Sequence, residues 1–278
     1  LCRTLEQAEA ALDAGATGVY LDFLELTGTG AAVRALRSRT PAPHITVAPP
    51  RIRKPGEEKI DRYLAGLDPD AILVRGLGAL REGAGSSIPR IGDFSLNVTN
   101  RLTAAEVLSR GLSAFTPSFD LDAAQLLALL ESDARLAPFA EIVLHHPMPL
   151  FHMEHCVIAH ALSDGADHRT CGRPCERHQL SLRDRAGMEH PVEADVGCRN
   201  TVFHQKPQSA AELVPGLLTA GVRRFRVELV REGASQVRAV VETYGRLVRG
   251  EASPRDVWKT LRVEGGYGVV RGSLRVLP

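Results

Sequence analysis

Cys156, Cys171, Cys175 and Cys198 are four of the five cysteines in the chain, and nine of its ten histidines share their stretch, from His145 to His204. The spacing is C-x14-C-x3-C-x22-C, with the turn-forming Cys171-Gly172-Arg173-Pro174-Cys175 at its centre. Soft thiolates gathered in one segment are ligands for zinc or for an iron–sulfur cluster. Structural zinc favours paired knuckles, and only one close pair exists; a cubane takes one thiolate at each iron and tolerates wider spacing. Spacing therefore leaves zinc and iron–sulfur open, beside a third reading as unliganded buried thiols. The C-x3-C-x2-C pattern of radical enzymes is absent. A disulfide framework is disfavoured in a chain this long without a basic, then apolar, leader.

Other chemistries fit less well. The string His152-Met153-Glu154-His155 has neither the order nor the spacing of the zincin motif H-E-x-x-H. His155 and Cys156 are sequence neighbours, and neighbours on a strand or helix point apart, which weakens them as a base–nucleophile pair. A zinc deaminase would read His152-Met153-Glu154 and Pro174-Cys175 as its signature, but His178 stands where the last cysteine belongs and three cysteines are left unused. Most of the histidines read as polar loop residues.

The elements that must position these residues follow from periodicity. Apolar β-branched runs near residues 1–3, 18–22, 44–48, 71–75, 90–96, 114–117, 141–145 and 225–229 alternate with amphipathic helical stretches. Eight strand–helix pairs predict an α/β fold of the (β/α)8, TIM-like barrel kind, with a doubly wound open sheet as the alternative. Residues 1–278 read as one such domain, and 145–205 as a Cys/His-rich insertion after the seventh strand, at the barrel mouth where active sites sit. That placement makes His145 and His146 candidate proton-handling catalytic residues. Glu228 joins them as a catalytic candidate, and Asn97, Arg226 and Arg231 are candidate substrate contacts from neighbouring strands. Arg173, Arg177 and Arg199 flank the cysteines, where cations lower thiolate pKa, although loop arginines are usually solvated. Cys2 reads as a buried strand thiol. Lys and Arg total 34 against 33 Asp and Glu, a net charge of +1, so no global basic field advertises nucleic acid. No apolar run reaches the length of a membrane span, and a cytoplasmic location is the expectation. The abrupt start on a strand predicts a fragment of a longer chain.

Several segments carry a resemblance. The run 151–158 (FHMEHCVI), then Cys171-Gly172-Arg173-Pro174-Cys175, Leu182-Arg183-Asp184-Arg185, His190-Pro191-Val192 and Asp195-Val196-Gly197-Cys198-Arg199-Asn200 resemble the signature region of the peptidase U32 family. Upstream, 15–21 (GATGVYL), 74–78 (VRGLG) and 94–100 (FSLNVTN), and later Arg226-Val227-Glu228, resemble the same family's barrel segments. The similarity is strongest to the carboxy-terminal part of its long members, so other domains of a longer chain are implied as partners. The resemblance implies either collagenase-like peptidase activity, for which the family was named, or oxygen-independent hydroxylation with a [4Fe-4S] cluster held by Cys156, Cys171, Cys175 and Cys198. It implies RNA or a small aromatic molecule such as a ubiquinone precursor as substrate, and prephenate as an oxygen donor. Leu229-Val230-Arg231 departs from the family's Gly-Arg at this point, which bears on the contacts expected of Arg231. The reading from another class is a non-catalytic binding module stabilised by zinc or a cluster.

Overall fold

A computed structural model of the chain describes residues 1–265, apart from Glu25, Ala84, Ala166, Val196 and Arg262. The expected domain's tail, 266–278, lies outside them. Short parallel strands β1 (Gly18–Leu21), β2 (His44–Val47), β3 (Ala71–Val74), β4 (Arg90–Gly92) and β5 (Ala114–Phe115) form one sheet in sequence order. A second, mixed sheet runs β10 (Arg224–Val227), β6 (Glu141–Met153), β9 (Asn200–Ser209), β8 (Glu189–Ala194), β7 (Leu180–Arg183), with β11 (Glu264–Gly265) on β9. Helices α1 (Leu5–Asp13), α2 (Leu26–Arg37), α3 (Glu58–Ala65), α4 (Leu77–Glu82), α5 (Arg101–Ser109) and α6 (Ala123–Glu131) alternate with the first strands. α7 (Val157–Leu162) follows β6, while α8 (Val214–Thr219), α9 (Ala234–Val248) and α10 (Pro254–Leu261) flank and follow β10. No helix among the described residues is long and apolar enough to cross a membrane.

Local chemistry sets the boundaries. Thr4 caps α1 by accepting from the Gln7 amide, and Asn100 caps α5 from its own side chain. Asp122 and Gln125 close a reciprocal capping box on α6. The apolar sides of α5, α6, α8 and α9 then pack with β5 and β6 around Phe115, Leu126, Ile142 and Leu217, all at most 1% exposed. α1, α2 and α9 cover β1 and β2 in a neighbouring cluster.

Parallel pairing also extends beyond the two sheets. Phe115 bridges Ala140 ahead of β6, and Cys2 bridges Leu21 at the end of β1. Leu1 accepts from the Leu229 amide at 3.0 Å. Every one of the eight expected strand positions therefore carries strand or bridge pairing.

Two boundaries differ from expectation. The stretch 90–96 is extended only to Gly92, because Asp93 accepts from the Phe94 amide and starts a 3-10 turn that ends on Asn97 at φ 54. The strand expected to stop at His145 continues to Met153. Pro147 and Pro149 mask it in the sequence, and they sit where its register with β9 shifts. The insertion is thus largely sheet: β7, β8 and β9 form antiparallel hairpins continued onto β6. It has a small apolar cluster of its own, Ile158, Val192 and Val202, with Cys156 and Met153 against it.

Candidate functional site

In parallel α/β sheets, sites gather just past the carboxyl ends of the strands. Here those positions are Asp22 after β1, Arg75 after β3, Asp93 after β4 and Glu228 after β10. They line a cleft open to solvent, together with Arg51 and Phe94. The insertion supplies the opposite wall through His152, Asp195, Thr201 and Phe203.

Charge runs through this floor in a relay. Tyr20 donates to Glu141 at 2.6 Å, and Arg226 reaches Glu141 at 2.9 Å and Asp93 at 2.8 Å. Arg75 joins Asp93 at 3.0 Å to both oxygens of Asp22 at 2.9 and 2.6 Å, and Arg3 ends the chain on Asp22 at 2.6 Å. Burial alone would raise the Asp22 carboxyl, but the Arg3 and Arg75 guanidiniums outweigh it and hold it at about 2. Burial likewise opposes the ionised form of Asp93, and Arg226 with Arg75 overcomes it, so its pKa also falls. Glu228 Oε1 is buried and ion-paired to Arg226 Nη2 at 2.9 Å without hydrogen-bond alignment.

A second feature is aromatic. The Arg51 guanidinium lies 4.9 Å over Phe94, Phe94 stacks on Phe119 at 4.1 Å, and Phe119 meets His146 at 4.2 Å. Burial, then Arg226, lowers His146 to about 3, so the ring is neutral, and its Nδ1 has no partner. His145 turns instead toward Tyr244, 3.4 Å away, whose hydroxyl donates to Ser209 at 2.7 Å. Burial, then His146, lowers its pKa to about 3 as well. Neither histidine lines the cleft.

The other sequence candidates separate in the same way. Arg226 is central but buried beneath the cleft at 3% exposure, among carboxylates. Asn97 is an exposed left-handed turn residue. Arg231 pairs with Glu193 and bonds the carbonyls of Leu180 and Val192 at 2.8 and 3.0 Å, which ties the β7–β8 hairpin to the end of β10. Glu228 alone of these lines the cleft. Sequence reasoning passed over Asp22, Arg75 and Asp93, although each is the first charged residue after an apolar strand.

The four clustered thiols stand in the insertion. Cys156 caps α7, its Sγ accepting from the Ala159 amide at 3.4 Å and facing the Asn200 amide nitrogen at 3.7 Å. Gly172 and Arg173 take left-handed angles, φ 66 and 50, to turn the chain between Cys171 and Cys175, and Cys198 itself has φ 61. Burial raises the Cys198 thiol, and the charges of Cys156, Cys175 and Cys171 raise it further. Cys175 is raised by burial and then by Cys156. Among the described residues no three His, Cys, Asp or Glu side chains could hold a single metal ion. The N–H donors on Cys156 Sγ are the surroundings that a ligating thiolate takes. The deaminase reading loses its acid, because Glu154 is engaged by Arg199 and Lys54. His155 packs on His160, ring centroids 5.3 Å apart.

The family model described as peptidase family U32 matches residues 55–261. No curated sequence matches significantly. Among solved structures, the chitinase ChiW of Paenibacillus sp. str. FPU-7 is similar at 9% identity and a TM-score of 0.37, with 81% of this chain and 35% of that one covered. The spore cortex-lytic enzyme SleL of Bacillus megaterium QM B1551 is similar at 9% identity and 0.40, with 87% and 70% covered. This chain thus spans well under half of the chitinase, and likeness at this level assigns no activity.

Proposed function

The chain belongs to peptidase family U32, and from that premise we propose that it is a [4Fe-4S]-dependent, oxygen-independent hydroxylase whose substrate, RNA or an aromatic small molecule, enters the cleft at the strand ends. We infer further that the linked strands close as a (β/α)8 barrel: Cys2 pairs with β1, Leu1 with the end of β10, and β5 with the start of β6. The observation that supports the reading is that Cys156, Cys171, Cys175 and Cys198 all belong to the insertion that supplies one wall of this cleft. Cys156, Cys171, Cys175 and Cys198 would hold the cluster, which supplies one-electron chemistry when bound.

The chain's own residues supply binding. Arg51 meets only the Phe94 ring among the described contacts, so it is free to receive a substrate's carboxylate or phosphate while the ring offers a stacking face. Glu228, which lines the same cleft, is the carboxylate placed to meet a hydroxyl or amine of that ligand. Neutral His146 contributes polarity behind the aromatic wall rather than a proton.

Hydrolysis of a peptide is the second reading, and one contact favours it. Thr201 Oγ1 lies 2.8 Å from His152 Nδ1 and both face the cleft, a hydroxyl–imidazole pair. Iron and acid-labile sulfide analysis of the anaerobically purified chain separates the two. About four irons and four sulfides per chain, lost on mutation of the cysteines, is the result expected of the hydroxylase. Iron-free protein that cleaves gelatin, and stops on Thr201→Ala, would replace it with the peptidase.

A further inference from the structure

Arg199 is the largest fully buried side chain among the described residues, 0% exposed, although it sits in a loop of the insertion next to Cys198. Its guanidinium meets three carboxylates from three segments. Nη2 binds both oxygens of Glu57 at 3.0 and 3.1 Å, Nε binds Glu154 at 3.2 Å, and Nη1 stands 3.8 Å from Asp195. Glu57 is not part of the insertion; it precedes α3, in the loop after β2 that also carries Arg51.

The backbone on either side of Cys198 is built around the same groups. Asp195 Oδ1 accepts from the Gly197 amide at 2.8 Å and the Arg199 amide at 3.1 Å, and the Asp195 carbonyl accepts from the Cys198 amide at 2.9 Å. This turn holds Cys198 at φ 61, an angle an L side chain adopts at a cost. A Cβ on Gly197 would fall 2.4 Å from Arg199 Nη1 and 2.8 Å from its Cζ, so the guanidinium occupies the space that only glycine leaves. Asp195 also lines the cleft.

We propose that Arg199 is a positioning residue through which Glu57, on the strand-end side of the cleft, fixes the tight turn presenting the Cys198 thiol. The strained angle at Cys198 persists because Arg199 is held from outside the insertion, and a ligand touching Asp195 acts on the same turn. Nη2 spans both oxygens of Glu57 while Nε bonds Glu154, and a lysine at 199, with one nitrogen, would not reproduce both contacts. The ligand role of Cys198 rests on the cluster reading above, whereas the mechanical link does not.

The test uses the full chain with Glu57→Gln and Arg199→Lys, read in two ways. In metal-free protein, alkylation of each cysteine by iodoacetamide is followed by peptide mass spectrometry, with Cys2, buried between β1 and the start of the chain, as the control for global unfolding. The expected result is a rise of about tenfold at Cys198 with Cys2 unchanged, because local opening rather than unfolding exposes the thiol. In iron-loaded protein the same variants lose iron to a chelator about tenfold faster than wild type. Cys198 rates within twofold of wild type in Glu57→Gln, or Cys2 rising in parallel, would overturn the proposal. If wild-type protein takes up no iron, the cluster reading fails, and the alkylation rates still decide whether Glu57 and Arg199 hold the turn.

Discussion

Acid tests the state of His146 directly. Its imidazole, 2% exposed and tilted against the Phe119 ring, has a folded-state pKa of about 3 against an ordinary 6.5, because burial and then Arg226 disfavour the cation. With the folded pKa depressed, the unfolded chain binds the proton first; the stability tied to the neutral ring is whole above pH 6.5 and drains away as pH falls toward 3. For one ring the loss is about 1.4 kcal/mol at pH 5.5 and about 2.7 kcal/mol at pH 4.5. His146→Phe keeps an aromatic ring against Phe119 and removes the titration; the carboxylates remain in both proteins, and His145 stays depressed by burial, its largest cause, although it loses the smaller contribution of His146. Urea denaturation of the pair at half-unit steps from pH 7.5 to 4.5 should show the variant gaining on wild type by those amounts. A gap that stays flat to within about 0.5 kcal/mol would mean that the folded protein accommodates the charged ring, and the argument that His146 serves as a neutral polar group would collapse.

Two further outcomes follow from the cleft. Asp22, held at about 2 in the folded chain against 3.8 when unfolded, contributes about 2 kcal/mol that is present above pH 3.8 and lost as pH approaches 2. Asp22→Asn should flatten the stability profile over pH 4 to 2 by that amount, and coincident slopes in the two proteins would refute it. Arg51→Gln should weaken binding of benzoate, a minimal aromatic anion, about tenfold by calorimetry without altering iron content or thermal unfolding. Unchanged affinity would remove Arg51 from the binding site.

How far the sequence reached can be followed residue by residue. Strand positions were legible because each is a short apolar run between polar helices, and the thiol cluster because cysteine is rare and four fell in one segment. The length of β6 was not, since two prolines interrupt a pattern that bulges against β9 accommodate in space. Asn97 looked like a strand residue because Phe94-Ser95-Leu96 is apolar and polar in alternation; Asp93's bond to the next amide diverts the chain into a turn. Arg199 carries no sequence mark of burial, because its three carboxylates lie 4, 45 and 142 positions away. The strand-end charges were visible all along: Asp22, Arg75 and Asp93 hold the same position relative to their strands as Glu228, and reading that shared position would have found them.

Ile158, Val192 and Val202 form a nucleus that shares no residue with the clusters under the outer helices. A separate nucleus of this kind, joined to the rest through β6, β9 and arginines such as Arg199 and Arg231, lets side chains inside the thiol-bearing unit be exchanged while the interior under the outer helices stays undisturbed.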